Sequence, residues 1–178
     1  MSNEERLKIL VKECIDELEK INIKVPKGYT YLVSKKLTST LGICFRKKKT
    51  IKIANYLFGF EDKYVKETII HEMLHAATSK RCCHGNEWRM LAHKVNVAYP
   101  QYNVTRTADL YNMGKTREEV HKILGYKYIE RCDTCGTEWG VFKMTESQRK
   151  GLLNGTFICL KCNGRKFSII DLQNENKQ

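Results

Sequence analysis

A chain of 178 residues with 42% hydrophobic content is long enough to bury a core and hold one domain plus a small module. Its formal charge of +12, from 32 Lys+Arg against 20 Asp+Glu, favours a polyanionic partner, most simply nucleic acid, with plain solubility or a lysine-rich proteome as the alternative. No run reaches the ~18–20 apolar residues that span a bilayer, and the mixed-charge start MSNEERLKIL is unlike a signal or transit peptide; no membrane role is expected, and the compartment is cytoplasmic, nucleoid-associated or nuclear.

Taken in chain order, Ser2 and Glu5 have capping-box spacing. Leu7, Leu10, Val11, Cys14, Ile15, Leu18 and Ile21 then recur as one apolar stripe of a helix that Pro26 and Gly28 end. Cys14 lies on that stripe and reads as a core thiol. Tyr29–Ser34, Leu41–Phe45 and Thr50–Ala54 read as short strands, the last two joined by Arg46-Lys47-Lys48-Lys49, whose charges should face water. Cys44, inside a strand, reads as another packed thiol.

Lys63 to about Lys80 reads as a helix, and Asn86 can cap a further one through Trp88, Leu91, Ala92, Val95 and Val97. Tyr99 to Lys115 is polar and weakly periodic, as a linker is. Thr116 and Glu119 repeat the capping-box spacing before a short helix that Gly125 closes, with His121 read as solvated. The expected organisation is a first domain over 1–98, a linker with a short helix over 99–125, a cysteine-paired module over 126–170 and a tail over 171–178, of which Asn174–Gln178 should be solvated. The fold class is α+β.

His71 and His75 stand four apart, on one helix face, and can send both imidazoles to one ion. Glu72 is turned by about 100° around the axis, beside the metal rather than on it, where a carboxylate can take a proton from metal-held water. This is the His-Glu-x-x-His logic of zinc peptidases. A catalytic zinc needs three protein ligands and an open position. The candidates for the third are Cys82, Cys83, His84 and His93. His84 is favoured, because Ser79-Lys80-Arg81 can form an exit and Gly85 permits a tight path into the next helix. Cys82 and Cys83 then read as bystanders, packed or partly exposed thiols, and His93 as a residue of the surface or one that supports a ligand from behind.

Cys132-Asp133-Thr134-Cys135 and Cys159-Leu160-Lys161-Cys162 are two Cys-x-x-Cys knuckles whose four thiolates can close a tetrahedral, structural zinc site. The rivals are a redox dithiol pair or exported disulfides. Two Zn2+ ions are thus expected, one catalytic and one structural. Around the knuckles Lys143, Arg149, Lys150, Lys161, Arg165 and Lys166, with Lys127 and Arg131, can meet phosphates, and Trp139 among interleaved aromatics can stack on bases or fill the module's core.

The segments Thr68-Ile69-Ile70-His71-Glu72-Met73-Leu74-His75-Ala76 and His84-Gly85-Asn86-Glu87-Trp88 resemble the SprT-like family of zinc metalloproteases, relatives of the DNA-dependent protease Spartan. Leu41-Gly42-Ile43-Cys44 and Ile51-Lys52-Ile53 match its upstream strand pair. The resemblance implies a zincin-like protease domain, with helices on a small β-sheet, followed by a small β zinc ribbon. It implies His71, His75 and His84 as ligands, Glu72 as catalytic base, and protein substrates bound or cross-linked to DNA. The short His75–His84 interval departs from Spartan, so loop-dependent gating is not carried over. Two other readings stand beside this one: a nucleic-acid-binding zinc protein without protease activity, and a DNA-independent peptidase acting on one regulatory protein. Strand preference, cleavage specificity and oligomeric state are not written in the sequence.

Overall fold

Helix α1 (Asn3–Lys20) starts where the capping box places it. The Ser2 hydroxyl accepts the Glu5 N–H and the Glu5 carboxylate accepts the Ser2 N–H at 2.7 Å. Leu7, Leu10, Val11, Cys14 and Leu18 form its buried stripe, and it stops at Lys20, short of Pro26. The computed structural model describes residues 1–79 and 83–173, and its contacts divide the chain into two units, Met1–Lys115 and Thr116–Gln178.

In the first unit, β1 (Thr30–Ser34), β2 (Gly42–Phe45) and β3 (Thr50–Ala54) form a sheet in the order β1-β3-β2, with β1 parallel and β2 antiparallel to β3. The central strand buries Ile51 and Ile53, and β2 is an edge. Helix α2 (Asp62–Ala77) buries Val65, Thr68, Ile69, Ile70, Glu72, Met73 and Leu74. Burial on so many sides makes it the unit's central element, and α1 and the sheet pack against it. Helix α3 (Asn86–Ala98) contributes Trp88, Ala92 and Val95. Its N-cap is Gly85 rather than Asn86, which is the first helical residue.

Two segments depart from their sequence reading. Arg46 does not simply face water: its guanidinium donates to the Ser79 carbonyl at 2.5 Å and to Thr78 Oγ1 at 3.2 Å, fastening the end of α2. The stretch from Tyr99 buries Tyr102, Val104 and Met113. It lacks periodicity because side-chain bonds to its backbone hold it in place. Asn96 bonds both the N–H (2.8 Å) and the carbonyl (3.0 Å) of Val104, and Glu67 accepts the Asn103 N–H at 3.0 Å. The Tyr102 hydroxyl donates to the Glu17 carboxylate at 2.9 Å.

The second unit opens with α4 (Arg117–Leu124), capped by the Thr116–Glu119 box and closed by Gly125 at φ 77°. His121 is 1% exposed, which corrects its reading as solvated. It lies next to buried Val120 on the inward side and packs on the Tyr126 ring at 5.7 Å. Strands β4 (Tyr128–Cys132), β5 (Glu138–Val141) and β6 (Phe167–Asp171) pair antiparallel in the order β5-β4-β6.

Helix α5 (Glu146–Leu153) was not expected from the sequence. Thr145 accepts the Gln148 N–H at its start, so the Thr-x-x-Gln spacing signals it, while Gly151 in its interior hides it. Cys132, Leu152, Cys159 and Phe167 form one buried cluster of this unit, which also buries Val120, Ile129 and Leu172. The described residues thus form a mixed α+β fold with five α-helices and two three-stranded sheets. Asn174–Gln178, expected as a tail, lie outside them.

Candidate metal centres

Helix α2 carries His71 and His75 on one face, and the turn before α3 brings His84 back to them. The Nε2 atoms of the three rings lie 3.2 Å (His71–His75), 3.1 Å (His75–His84) and 3.0 Å (His71–His84) apart. Nitrogens sharing one tetrahedral zinc at about 2.0–2.1 Å would be about 3.3–3.4 Å apart, so the triangle fits one ion after shifts of a few tenths of an ångström.

The tautomer fits as well. His71 Nδ1 lies 3.0 Å from the Thr105 carbonyl, which can only accept, so Nδ1 carries the proton and Nε2 offers its lone pair. Burial, reinforced by the neighbouring imidazoles, pushes His71 and His75 down to about 4. Burial and then the Arg106 charge also lower His84. Neutral imidazole is the metal-binding form. The Trp88 ring, 2% exposed, backs all three imidazoles at centroid distances of 4.7, 5.8 and 4.8 Å.

Glu72 is buried beside this cluster. Burial pushes its carboxyl up to about 7, opposed by the Cys44 backbone amide. Glu72 and His71 open onto a cleft of about 300 Å3, walled by Gly42 and Thr68 on one side and by Thr105, Arg106 and Met113 on another. Arg106 is the one Lys or Arg among the lining residues.

The other candidates for the third position stand apart. His93 is exposed on α3, and Cys83 is exposed at φ 35°; neither belongs to the cluster of potential donors. Cys82 lies outside the described residues. Cys14 is buried, and Cys44 is half-buried with its thiol pushed up to about 11 by burial. The sequence reading missed Thr105, Arg106 and the ring-backing part of Trp88. Only Trp88 carried a signal, its place four residues after His84.

The second cluster joins Cys132, Cys135, Cys159 and Cys162, whose sulfurs all lie within 4.8 Å of one another. Cys132–Cys162 and Cys135–Cys159 are 3.6 and 3.7 Å apart, too far for disulfides and close to the ~3.8 Å of thiolates on one zinc at about 2.3 Å. Thr137 Oγ1, 3.2 Å from Cys135 Sγ, is the leading cause that pulls this thiol down to about 6, towards the ligating thiolate.

Lys143, Arg149, Lys150, Lys161, Arg165 and Lys166 are all exposed. Among the described residues Lys150 faces Glu146 at 3.9 Å and Arg165 bonds the Gly155 carbonyl at 3.2 Å. Trp139 is 37% exposed, part of its ring facing Phe167 at 6.3 Å.

No helix among the described residues is long and apolar enough to cross a membrane. Compared with known protein families, the chain matches the SprT-like family over residues 11–108. The match contains the histidine cluster, Glu72 and every cleft-lining residue but Met113, and ends before the four cysteines. Covering more than half of the sequence, it establishes that the chain belongs to the SprT-like family.

Proposed function

We propose that the chain is a zinc-dependent endopeptidase that works on proteins bound or cross-linked to DNA. The observation that carries the reading is the convergence of three neutral imidazole nitrogens at 3.0–3.2 Å beside the buried Glu72, at the edge of an open cleft. Zinc held there by His71, His75 and His84 would supply Lewis acidity, polarising a peptide carbonyl and acidifying water.

The chain's own residues do the rest. Thr105 and Trp88 hold the imidazoles in place, and the cleft takes the peptide. Glu72, with a carboxyl that ionises near neutrality, takes the proton of the attacking water. It returns that proton to the leaving amine as the C–N bond breaks. The accompanying fold reading is zincin-like, with residues 1–98 as the protease domain and the cysteine module as a zinc ribbon on a structural metal.

The DNA component of the reading is supported by the +12 charge and by the exposed Lys143, Arg149, Lys161 and Lys166, which form no ion pair among the described residues. Phe142 and Phe157, 48% and 44% exposed, offer rings for stacking.

The test compares wild type with Glu72→Gln on a DNA-binding protein, with and without DNA. The reading predicts DNA-stimulated cleavage that the substitution lowers by ~10²–10⁴-fold at unchanged zinc content. Cleavage that persists in the variant contradicts the proton role of Glu72. Absence of cleavage by wild type favours a nucleic-acid-binding zinc protein, and cleavage indifferent to DNA favours a peptidase with a regulatory substrate.

A further inference from the structure

Edge strand β2 passes directly over the carboxylate arm of Glu72, at a glycine. A Cβ built on Gly42 would sit 2.9 Å from Glu72 Cγ, 3.0 Å from Thr68 Cγ2 and 3.1 Å from Glu72 Oε1. Non-bonded carbons settle at ~3.5–4.0 Å, so any side chain here must displace something.

The surroundings decide what gives way. Thr68 is β-branched, and its hydroxyl donates to the Tyr64 carbonyl at 3.1 Å, which fixes its rotamer and aims its methyl at the strand. Strand β2 is held in register on β3, with Gly42 opposite Ile53 and the Ala54 N–H donating to the Leu41 carbonyl at 2.7 Å. The Glu72 arm is the softest of the three. If the strand moved instead, the Cys44 amide that faces the carboxylate would leave with it. Either response changes where the carboxylate sits in the cleft.

We propose that Gly42 is a positioning residue for Glu72: the missing side chain lets β2 close over the carboxylate arm and fixes its place beside the three histidines. The inference rests on the reading of Glu72 as the proton carrier. It goes beyond that reading by assigning to the strand a part in the reaction that is exercised through Glu72 and not through the metal. A carboxylate displaced by about an ångström loses on the order of 10²-fold in rate, while substrate binding elsewhere in the cleft is kept.

The experiment pairs crystal structures of wild-type and Gly42→Ala protein with zinc analysis and steady-state kinetics, adding Thr68→Ser and the double variant. The proposal predicts that G42A keeps its fold, its zinc and the histidine triangle. Its Glu72 carboxylate moves by several tenths of an ångström or more, and kcat falls ~10–100-fold with KM within about 2-fold. Removing the Thr68 methyl relieves the 3.0 Å contact and lets the new Cβ lean away from Glu72 Cγ, so G42A/T68S should recover part of the lost kcat. A G42A protein with Glu72 in place, with kcat unchanged, or with fold or zinc lost would overturn the proposal. So would a double variant no better than G42A. A wild type that cleaves nothing overturns the peptidase reading instead, and the two crystal structures then decide the positioning alone.

Discussion

The two donor clusters differ in how many positions they fill and in what surrounds them. Three imidazoles stand at the edge of a cleft with an ionisable carboxyl beside them, in a unit with a broad apolar core of its own. Four thiols stand in a unit with a small apolar interior, where Cys132 and Cys159 share one buried cluster with Leu152 and Phe167, so two of the four donors are also core residues. A zinc on three ligands has a position left for chemistry, whereas a zinc on four has none and can only hold the chain together. Zinc at the two clusters would therefore do two jobs, with the donor count deciding which.

The largest expected effect separates these jobs. Cys159→Ser should remove the structural metal and with it much of the folding free energy of the second unit. Hydrogen exchange should show loss of protection confined to Thr116–Asp171, the first unit staying protected. Protection retained in the second unit would mean that its small apolar core suffices without metal.

Next comes the pedestal of the open site. Trp88→Ala should destabilise the first unit by ~3–5 kcal/mol and weaken zinc at the histidines while leaving the cysteine site loaded. Denaturant melts with zinc titration check this, and equal weakening at both sites would contradict it.

A smaller effect is written in pH. In metal-free protein, His71 and His75 ionise near 4 instead of 6.5. Their contribution to stability is therefore present above 6.5 and lost as pH falls through 4, on the order of 1–2 kcal/mol after screening. Glu72 is raised from 4.5 to about 7, so its contribution is present below 4.5 and lost as pH rises through 7. Glu72→Gln should therefore stabilise the metal-free first unit at pH 8 and change little at pH 4. Urea melts of both proteins across this range give the two opposite slopes; parallel curves would contradict the burial of Glu72.

Local rules made much of this legible. The α1 stripe, both capping boxes, the three strands of the first sheet, the His71–His75 spacing and the paired cysteines are all short-range patterns. They appear in the structure within one or two residues of their expected places. What stayed hidden depends on long-range contact. Thr105 reaches His71 through a backbone carbonyl, which any residue type would supply. Gly42 matters because of what lies above it, not because of its neighbours in sequence. The stretch around Val104 is fixed by Asn96 and Glu67, which leaves no hydrophobic period to read. His121 is buried and meets the Tyr126 ring across the turn at Gly125, a contact that helical spacing alone does not supply.

The contrast between an open and a closed site stands or falls on zinc counting in pure protein, wild type against His84→Ala. Two ions should fall to one, or the first should bind far more weakly, with the four-cysteine ion and the fold retained. An unchanged count at unchanged affinity would show that His84 is not the third donor, and the geometry of the open site would have to be drawn again from another residue.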